Sequence, residues 1–88
     1  MPEWKIWVQK RPEKALRRLP RDLQQRLYKA MHSLAQDPRP PNCMKLVGYA
    51  ELYRIRVGGW RIVYAIEDNK LIVLIVEVAP RASVYRNL

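Results

Sequence analysis

The sequence predicts a small α+β domain in which a helical hairpin covers one face of a mainly antiparallel sheet. Two patterns lead to this prediction. Residues 52–64 alternate apolar and polar side chains on either side of a Gly-Gly pair, which is typical of a β-hairpin. Residues 22–36 carry apolar side chains at helical spacing. With the remaining segments added, the order of elements is β-α-α-β-β-β, which indicates a two-layer domain.

Gly58 and Gly59 join the two strands of the predicted hairpin. Such a connection favours a tight turn, because both glycines can adopt the positive φ that tight hairpin turns require. A two-residue loop also fixes the register, and side chains then alternate between the two faces. One face carries the apolar side chains that we expect in the core: Tyr53, Ile55, Val57, Trp60, Ile62 and Tyr64. The other face carries Arg54, Arg56 and Arg61.

Arg56 and Arg61 face each other directly in this register. Like charges in opposite positions destabilise a hairpin by roughly a few tenths of a kcal/mol or more. A chain that binds no anion would more often carry Glu or Thr at one of these positions. The pair therefore indicates an anion site. The competing interpretation is a solvated outer face, with both guanidinium groups extended into water.

The rest of the chain supplies a first strand, two helices and a last strand. Residues 4–8 are rich in aromatic and β-branched side chains, which predicts a strand. Residues 10–19 have helical spacing up to the break at Pro20, and residues 22–36 form the clearest helix. Residues 70–79 are apolar on both faces, so we expect this strand in the centre of the sheet.

The length, charge and cysteine content of the chain limit which classes of protein it can belong to. The chain has 88 residues, which we interpret as one domain over residues 1–88, and a formal net charge of +9. This charge favours a polyanionic partner: nucleic acid, a ribosome, an acidic protein or a membrane surface. The single cysteine, Cys43, excludes an internal disulfide and fits a reducing, cytoplasmic setting. The N-terminus lacks the apolar stretch of a signal peptide. Cys43 and His32 each stand alone, so we expect no metal or other cofactor.

Residues 45–86 carry the most specific pattern of the chain. A Lys-Leu-x-Gly lead is followed by a Tyr-basic-Ile-basic strand, a Gly-aromatic-Arg strand, an acidic turn, an apolar strand, and then an Arg and a Val-Tyr. Together with the order of elements, this pattern resembles the RelE/ParE superfamily of bacterial toxin–antitoxin toxins. The similarity extends over nearly the whole chain and is closer to the RelE branch.

The resemblance implies an activity and a set of partners. RelE-like toxins are ribosome-associated mRNA endonucleases that cut the message in the ribosomal A site, by attack of a ribose 2′-hydroxyl on the adjacent phosphate. The implied partners are the ribosome with its mRNA and a small RelB-like antitoxin with an acidic wrapping segment, with no membrane involved. ParE-like members share the fold but act on DNA gyrase, so gyrase inhibition is the alternative. A further alternative is a degenerate family member that binds its antitoxin and has no catalytic activity.

The resemblance also implies which residues form the site. Arg61 and Arg81 would stabilise the charge that develops on the phosphate, with Arg81 also the candidate proton donor. Tyr85 would stack on a base or help to move a proton. A second set would bind RNA phosphates: Arg54, Arg56 and Lys45.

The chain departs from the RelE pattern at two places. The strand positions that are usually lysine are Arg54 and Arg56, and arginine is a poor general base because its pKa lies above about 12. Pro80 stands directly before Arg81, where the family often has histidine or lysine. The alternative role for Arg61 is structural, in an ion pair with Glu77 or with an acidic residue of a partner. Arg81 and Tyr85 would in that case hold the C-terminal tail against the sheet.

Overall fold

The computed structural model describes residues 3–46, 48 and 51–80. The predicted C-terminal tail, with the candidate residues Arg81 and Tyr85, lies outside the described residues. In the described part, two helices and five strands follow one another along the chain: β1 Lys5–Val8, α1 Lys10–Arg17, α2 Arg21–Leu34, β2 Met44–Lys45, β3 Leu52–Val57, β4 Trp60–Glu67 and β5 Ile72–Pro80.

The five strands form one sheet in the order β1-β5-β4-β3-β2. Strand β1 pairs with β5 in parallel, and the other neighbours pair antiparallel. The predicted α+β class, with a mainly antiparallel sheet, is confirmed, and β5 lies inside the sheet as its two apolar faces predicted. The order of elements gains one strand, since β2 was not predicted. Two residues are too few to show a strand periodicity.

The helical hairpin covers one face of the sheet because each helix has one apolar side. Leu16 of α1 and Leu27, Met31 and Leu34 of α2 are buried. They meet a second set of buried side chains from three strands: Ile55, Ile62, Tyr64, Ile66, Val73, Ile75 and Val78. Removing a side chain of this size from water stabilises the fold by about 1.5–3 kcal/mol. Neither helix is long and apolar enough to cross a membrane.

A register shift between β4 and β5 determines which side chains of β5 lie in the core. Val63 pairs with Glu77 and the next residue, Tyr64, pairs with Ile75, so Val76 is an extra residue in β5. Because of this bulge, Ile75 and Val78 both pack in the core although they are three residues apart. Glu77, opposite Val63, lies on the other face of the sheet.

The tip of the β3–β4 hairpin has the predicted register. The five pairs that a two-residue loop implies all occur, from Tyr53 with Tyr64 to Val57 with Trp60. Both loop glycines can adopt a positive φ, and only Gly58 does so, with a value of 60°. A positive φ at the first loop position alone is the φ pattern of a type II′ turn. The tip therefore needs glycine at one position.

A network of polar and aromatic contacts fixes the loop between α2 and β2 to the sheet. Arg39 donates two hydrogen bonds to the carboxylate of Asp68, at 3.2 and 3.0 Å, and its guanidinium lies 5.5 Å from the centre of the Tyr53 ring. Tyr53 stacks on Tyr64, whose buried hydroxyl donates a 2.8 Å hydrogen bond to the carbonyl of Pro38. The loop thus has defined partners on β3, on β4 and in the β4–β5 turn.

Candidate nucleic-acid interface

The three hairpin arginines lie on the face of the sheet opposite to the helices. Arg56 and Arg61 are directly paired across β3 and β4, and Arg54, two residues before Arg56, pairs with Val63. Because side chains alternate along a strand, all three point away from the core formed by Ile55 and its neighbours. The hairpin therefore brings three guanidinium groups to adjacent positions on one surface.

The three arginines differ in exposure. Arg56 is exposed, whereas Arg61 is 4% exposed and Arg54 9% exposed. The interpretation of a fully solvated outer face is therefore wrong for Arg54 and Arg61, and it holds only for Arg56. A buried guanidinium keeps its charge and is costly unless polar groups surround it. Each of the two buried arginines takes part in at least one hydrogen bond, ring contact or electrostatic interaction. The Nη2 atom of Arg54 lies 2.9 Å from the sulfur of Met44.

The ion pairs between described residues lie elsewhere in the molecule. They join Arg17 to Glu13 at the surface of α1 and Arg39 to Asp68 beside the proline-rich loop. The pair of Arg61 with Glu77 that the sequence left open is not among them.

Lys45 is not brought together with these arginines. It lies in β2 directly opposite Tyr53, and directly opposed residues share a face, so it belongs to the side of the sheet that carries the helices. Met44, next to it, is opposite Arg54 and occupies the arginine side. The role of Lys45 in phosphate binding stays a prediction, at an exposed edge of the sheet.

The strand next to the cluster ends at Pro80. This residue pairs with Trp60, and the preceding Ala79 pairs with Arg61. The roles expected of Arg81 and Tyr85 stay predictions, because both residues lie outside the described part of the chain.

One basic residue near the hairpin was not singled out from the sequence. Arg26 of α2 reaches the hairpin tip, where its Nη2 atom would lie 3.0 Å from a Cβ placed on Gly58. The sequence showed only that Arg26 belongs to the polar side of a helix. Its proximity to Gly58 depends on how the helix packs on the sheet, which periodicity alone does not reveal.

The described residues favour charge stabilisation over proton transfer at this site. Guanidinium groups bind phosphate oxygens in bidentate fashion and stay protonated, so they suit an anionic ligand and not the role of a general base. Among the described residues, no group of three His, Cys, Asp or Glu side chains comes together to hold a metal ion. These features define a small basic α+β domain with a cluster of three arginines on the face of its sheet opposite to the helices.

Comparisons with known proteins agree on the kind of domain. The model of the ParE toxin family of type II toxin–antitoxin systems, parDE, matches residues 8–85. The RelE1 protein of Methanocaldococcus jannaschii is 26% identical over 88 residues, which cover 97% of this chain and 98% of that protein.

Two solved structures share the fold. RelE in the archaeal RelE–RelB complex from Pyrococcus horikoshii superposes with a TM-score of 0.80 at 28% identity, covering 93% of this chain and 98% of that one. The isolated E. coli RelE toxin superposes with a TM-score of 0.77 at 27% identity, covering 96% and 93%. The chain belongs to the RelE/ParE superfamily of toxins from type II toxin–antitoxin systems. The resemblance seen in residues 45–86 is thereby confirmed.

Proposed function

We propose that this toxin is a ribosome-dependent mRNA endonuclease that blocks translation in the cytoplasm. The observation that supports it most is the direct pairing of Arg56 with Arg61, with Arg54 beside them. Like charges in directly opposed positions weaken a hairpin, and guanidinium groups bind the phosphate oxygens of a message in bidentate fashion. The resemblance to RelE toxins, which act on mRNA, supports RNA as the source of these phosphates.

The proposed reaction needs no cofactor. The ribose 2′-hydroxyl attacks the adjacent phosphorus, the O2′–P bond forms, the P–O5′ bond breaks, and a cyclic phosphate and a 5′-hydroxyl result. Arg61 and Arg81 stabilise the negative charge on the phosphate oxygens, and Arg81 donates the proton to the leaving oxygen. Arg54, Arg56 and, from the sheet edge, Lys45 hold the flanking phosphates.

The base that accepts the proton of the 2′-hydroxyl is not one of the hairpin arginines. The hairpin arginines are already protonated at neutral pH, and a protonated guanidinium cannot accept a further proton. Tyr85 or a group of the ribosome supplies the base in this proposal, and dependence on the ribosome follows directly if the group is ribosomal. Pro80 carries no side chain that can transfer a proton, so the mechanism does not use that position.

The partner that controls the toxin is a RelB-like antitoxin. The P. horikoshii relative was solved as a RelE–RelB complex. The net charge of +9 suits a small antitoxin that wraps the toxin with an acidic, amphipathic segment. The remaining alternative is a chain that only binds its antitoxin and is not toxic. Harmless expression of the chain without an antitoxin would support that alternative.

The second candidate function is inhibition of DNA gyrase. It is favoured by the match of the ParE family model to residues 8–85. It is also favoured by the replacement of the usual strand lysines by Arg54 and Arg56. A supercoiling assay with purified toxin and gyrase tests it directly, and unchanged supercoiling at a toxic concentration would contradict it.

Mapping 5′ ends in expressing cells tests the proposal. A translated reporter message and an untranslated copy are compared after brief induction. We expect new ends in codon phase on the translated copy alone. Arg56→Thr is the informative variant because Arg56 is exposed, whereas truncating the buried Arg61 would also change stability. Lys70→Gln removes an exposed charge outside the site and serves as the control. Toxicity without new ends would contradict the proposal and favour gyrase.

A further inference from the structure

Met44 lies beside the hairpin arginines and has no part in the proposed reaction. It stands in β2 directly opposite Arg54, on the face of the sheet that carries Arg56 and Arg61. Its sulfur atom lies 2.9 Å from the Nη2 atom of Arg54. A thioether therefore contacts one of the guanidinium groups to which the proposed function assigns the binding of phosphate.

The two side chains of this contact differ in exposure. Arg54 is 9% exposed, whereas Met44 is 56% exposed and is the most exposed large apolar side chain among the described residues. Met31, by contrast, lies in the core and is 2% exposed. An oxidant dissolved in water therefore reaches Met44 far more readily than it reaches Met31.

The thioether of Met44 competes only weakly with a phosphate for Arg54. A thioether sulfur is a weak hydrogen-bond acceptor and carries no formal charge. A phosphate oxygen accepts a charge-assisted hydrogen bond from a guanidinium, which is roughly twice as strong as a bond between neutral groups. In its reduced form, Met44 is thus compatible with the role of Arg54 in the proposed function.

We propose that Met44 is a site of reversible oxidation, at which conversion of the thioether to a sulfoxide withdraws Arg54 from RNA phosphate. The inference rests on the proposed function for the phosphate-binding role of Arg54. The oxidant is hydrogen peroxide. The sulfur lone pair attacks one peroxide oxygen, so that the S–O bond forms and the O–O bond breaks. The leaving hydroxide takes the proton from the oxygen now bound to sulfur and departs as water. Sulfur loses two electrons and the peroxide gains them.

The sulfoxide changes the competition for Arg54. Its polar oxygen is attached to the atom that already faces Nη2, and it accepts a charge-assisted hydrogen bond from the guanidinium. Bidentate binding of a phosphate needs two parallel N–H groups of one guanidinium, and occupation of Nη2 by the sulfoxide removes that arrangement. Met44 is therefore a positioning residue, which acts on the message through Arg54. Methionine sulfoxide reductases restore the thioether, so the change is reversible.

Binding of a short, single-stranded 2′-O-methyl RNA at low salt, before and after treatment of the purified chain with hydrogen peroxide, tests the proposal. This probe lacks the attacking hydroxyl, so the assay is independent of cleavage. Mass spectrometry locates the added oxygen, and circular dichroism verifies that the protein stays folded. Met44→Leu is the matched control, because leucine is similar in size and has no sulfur. The control retains the free thiol of Cys43, so any effect of peroxide on that thiol persists in it.

We expect peroxide to weaken binding by the wild type roughly tenfold and to lower the slope of log affinity against log salt by about 1, as for the loss of one phosphate contact. Met44→Leu should keep its affinity under the same treatment. Methionine sulfoxide reductase should restore binding by the wild type, whereas a thiol reductant alone should not. Met44→Gln, which places an amide oxygen beside Arg54, should bind weakly with or without peroxide.

Equal losses in the wild type and Met44→Leu would overturn the proposal, as would a Met44 that stays unoxidised or an oxidised Met44 with unchanged binding. An untreated chain that does not bind the probe would also overturn it, since Arg54 would then hold no phosphate. If binding follows the oxidation of Met44 but no message is cut in cells, the oxidation site stands and the proposed function fails. If messages are cut but binding is indifferent to the oxidation of Met44, the proposed function stands and the oxidation site fails.

Discussion

Tyr64 shows at the scale of one residue how the core and the proline-rich loop depend on each other. Its ring is fully buried, and its hydroxyl donates a hydrogen bond to the carbonyl of Pro38. Burial raises the pKa of this phenol, because the charged tyrosinate loses its hydration in the core. The side chain therefore has to remain neutral for the fold to be stable.

We expect Tyr64→Phe to lower the free energy of unfolding by about 1–2 kcal/mol, because the carbonyl of Pro38 loses its donor. Since the folded-state pKa is raised, the contribution of Tyr64 is fully present below pH about 10 and is lost as pH rises further. Urea unfolding at neutral pH and above pH 10 measures both effects. Tyr28→Phe, at an exposed position, is the control. A difference between wild type and Tyr64→Phe that grows at alkaline pH would contradict this account.

Gly58 and Gly59 provide a second test at single residues. Gly58 has a φ of 60°, and an added Cβ would meet the guanidinium of Arg26 at 3.0 Å. Gly59 lacks both constraints. We expect Gly58→Ala to destabilise the fold by about 1–2 kcal/mol, mainly through the left-handed backbone, and Gly59→Ala to have little effect. Thermal unfolding compares the two variants, and equal losses would show that the assigned turn geometry is wrong.

In the β3–β4 hairpin, we expect Arg56 to support the proposed RNA binding and at the same time to lower the stability of the fold. Arg56 and Arg61 lie directly opposite each other, and like charges in such positions destabilise a hairpin. We expect Arg56→Thr to raise the free energy of unfolding by roughly a few tenths of a kcal/mol, since it removes a like-charge pair and places a good strand former. The same change should abolish toxicity. Urea unfolding and growth after induction measure the two effects.

A purely structural Arg56 would behave in the opposite way. In that case Arg56→Thr would destabilise the fold and reduce toxicity only in proportion to the loss of folded protein. Lys70→Gln, which removes an exposed charge from a turn, should leave both the growth defect and the stability unchanged.

The loop between α2 and β2 is fixed at the same scale by Arg39 and Asp68. The hydrogen bonds from Arg39 hold the pKa of the Asp68 carboxyl below its usual range. A lowered folded-state pKa means that the stabilisation is present above the ordinary aspartate pKa and is lost as pH falls through the lowered value. We expect the stability difference between wild type and Asp68→Asn to be small, because both side chains are exposed, and to vanish in acid. Urea midpoints between about pH 3 and pH 7 measure it. A difference that persists unchanged at the acid end would contradict the assignment.

The elements also show what the sequence could and could not predict. The hairpin register, the helices and the position of β5 inside the sheet follow from local periodicity and turn chemistry, and the structure confirms them. The parallel pairing of β1 with β5, the two-residue strand β2 and the bulge at Val76 depend on contacts between distant segments, which a pattern does not show. The burial of Arg54 and Arg61 was missed for the same reason, since alternation identifies a face but not what lies over it.

At the scale of the whole molecule, the toxin has two basic surfaces on opposite sides of one sheet. The smaller one, formed by the hairpin arginines, is the proposed site for the message. The larger one, on the helices, carries two-thirds of the net charge. A domain of this size has one core, so both surfaces depend on the same buried side chains.

The central claim is that the toxin cuts mRNA only on the ribosome. Purified toxin is added to a defined message, either free or on ribosomes that hold a known codon in an empty A site, and primer extension locates the breaks. We predict breaks within the A-site codon on the ribosomes, none on the free message, and none with Arg56→Thr in either case. Breaks on the free message, or an intact message on ribosomes at a toxin concentration that stops growth, would contradict the account.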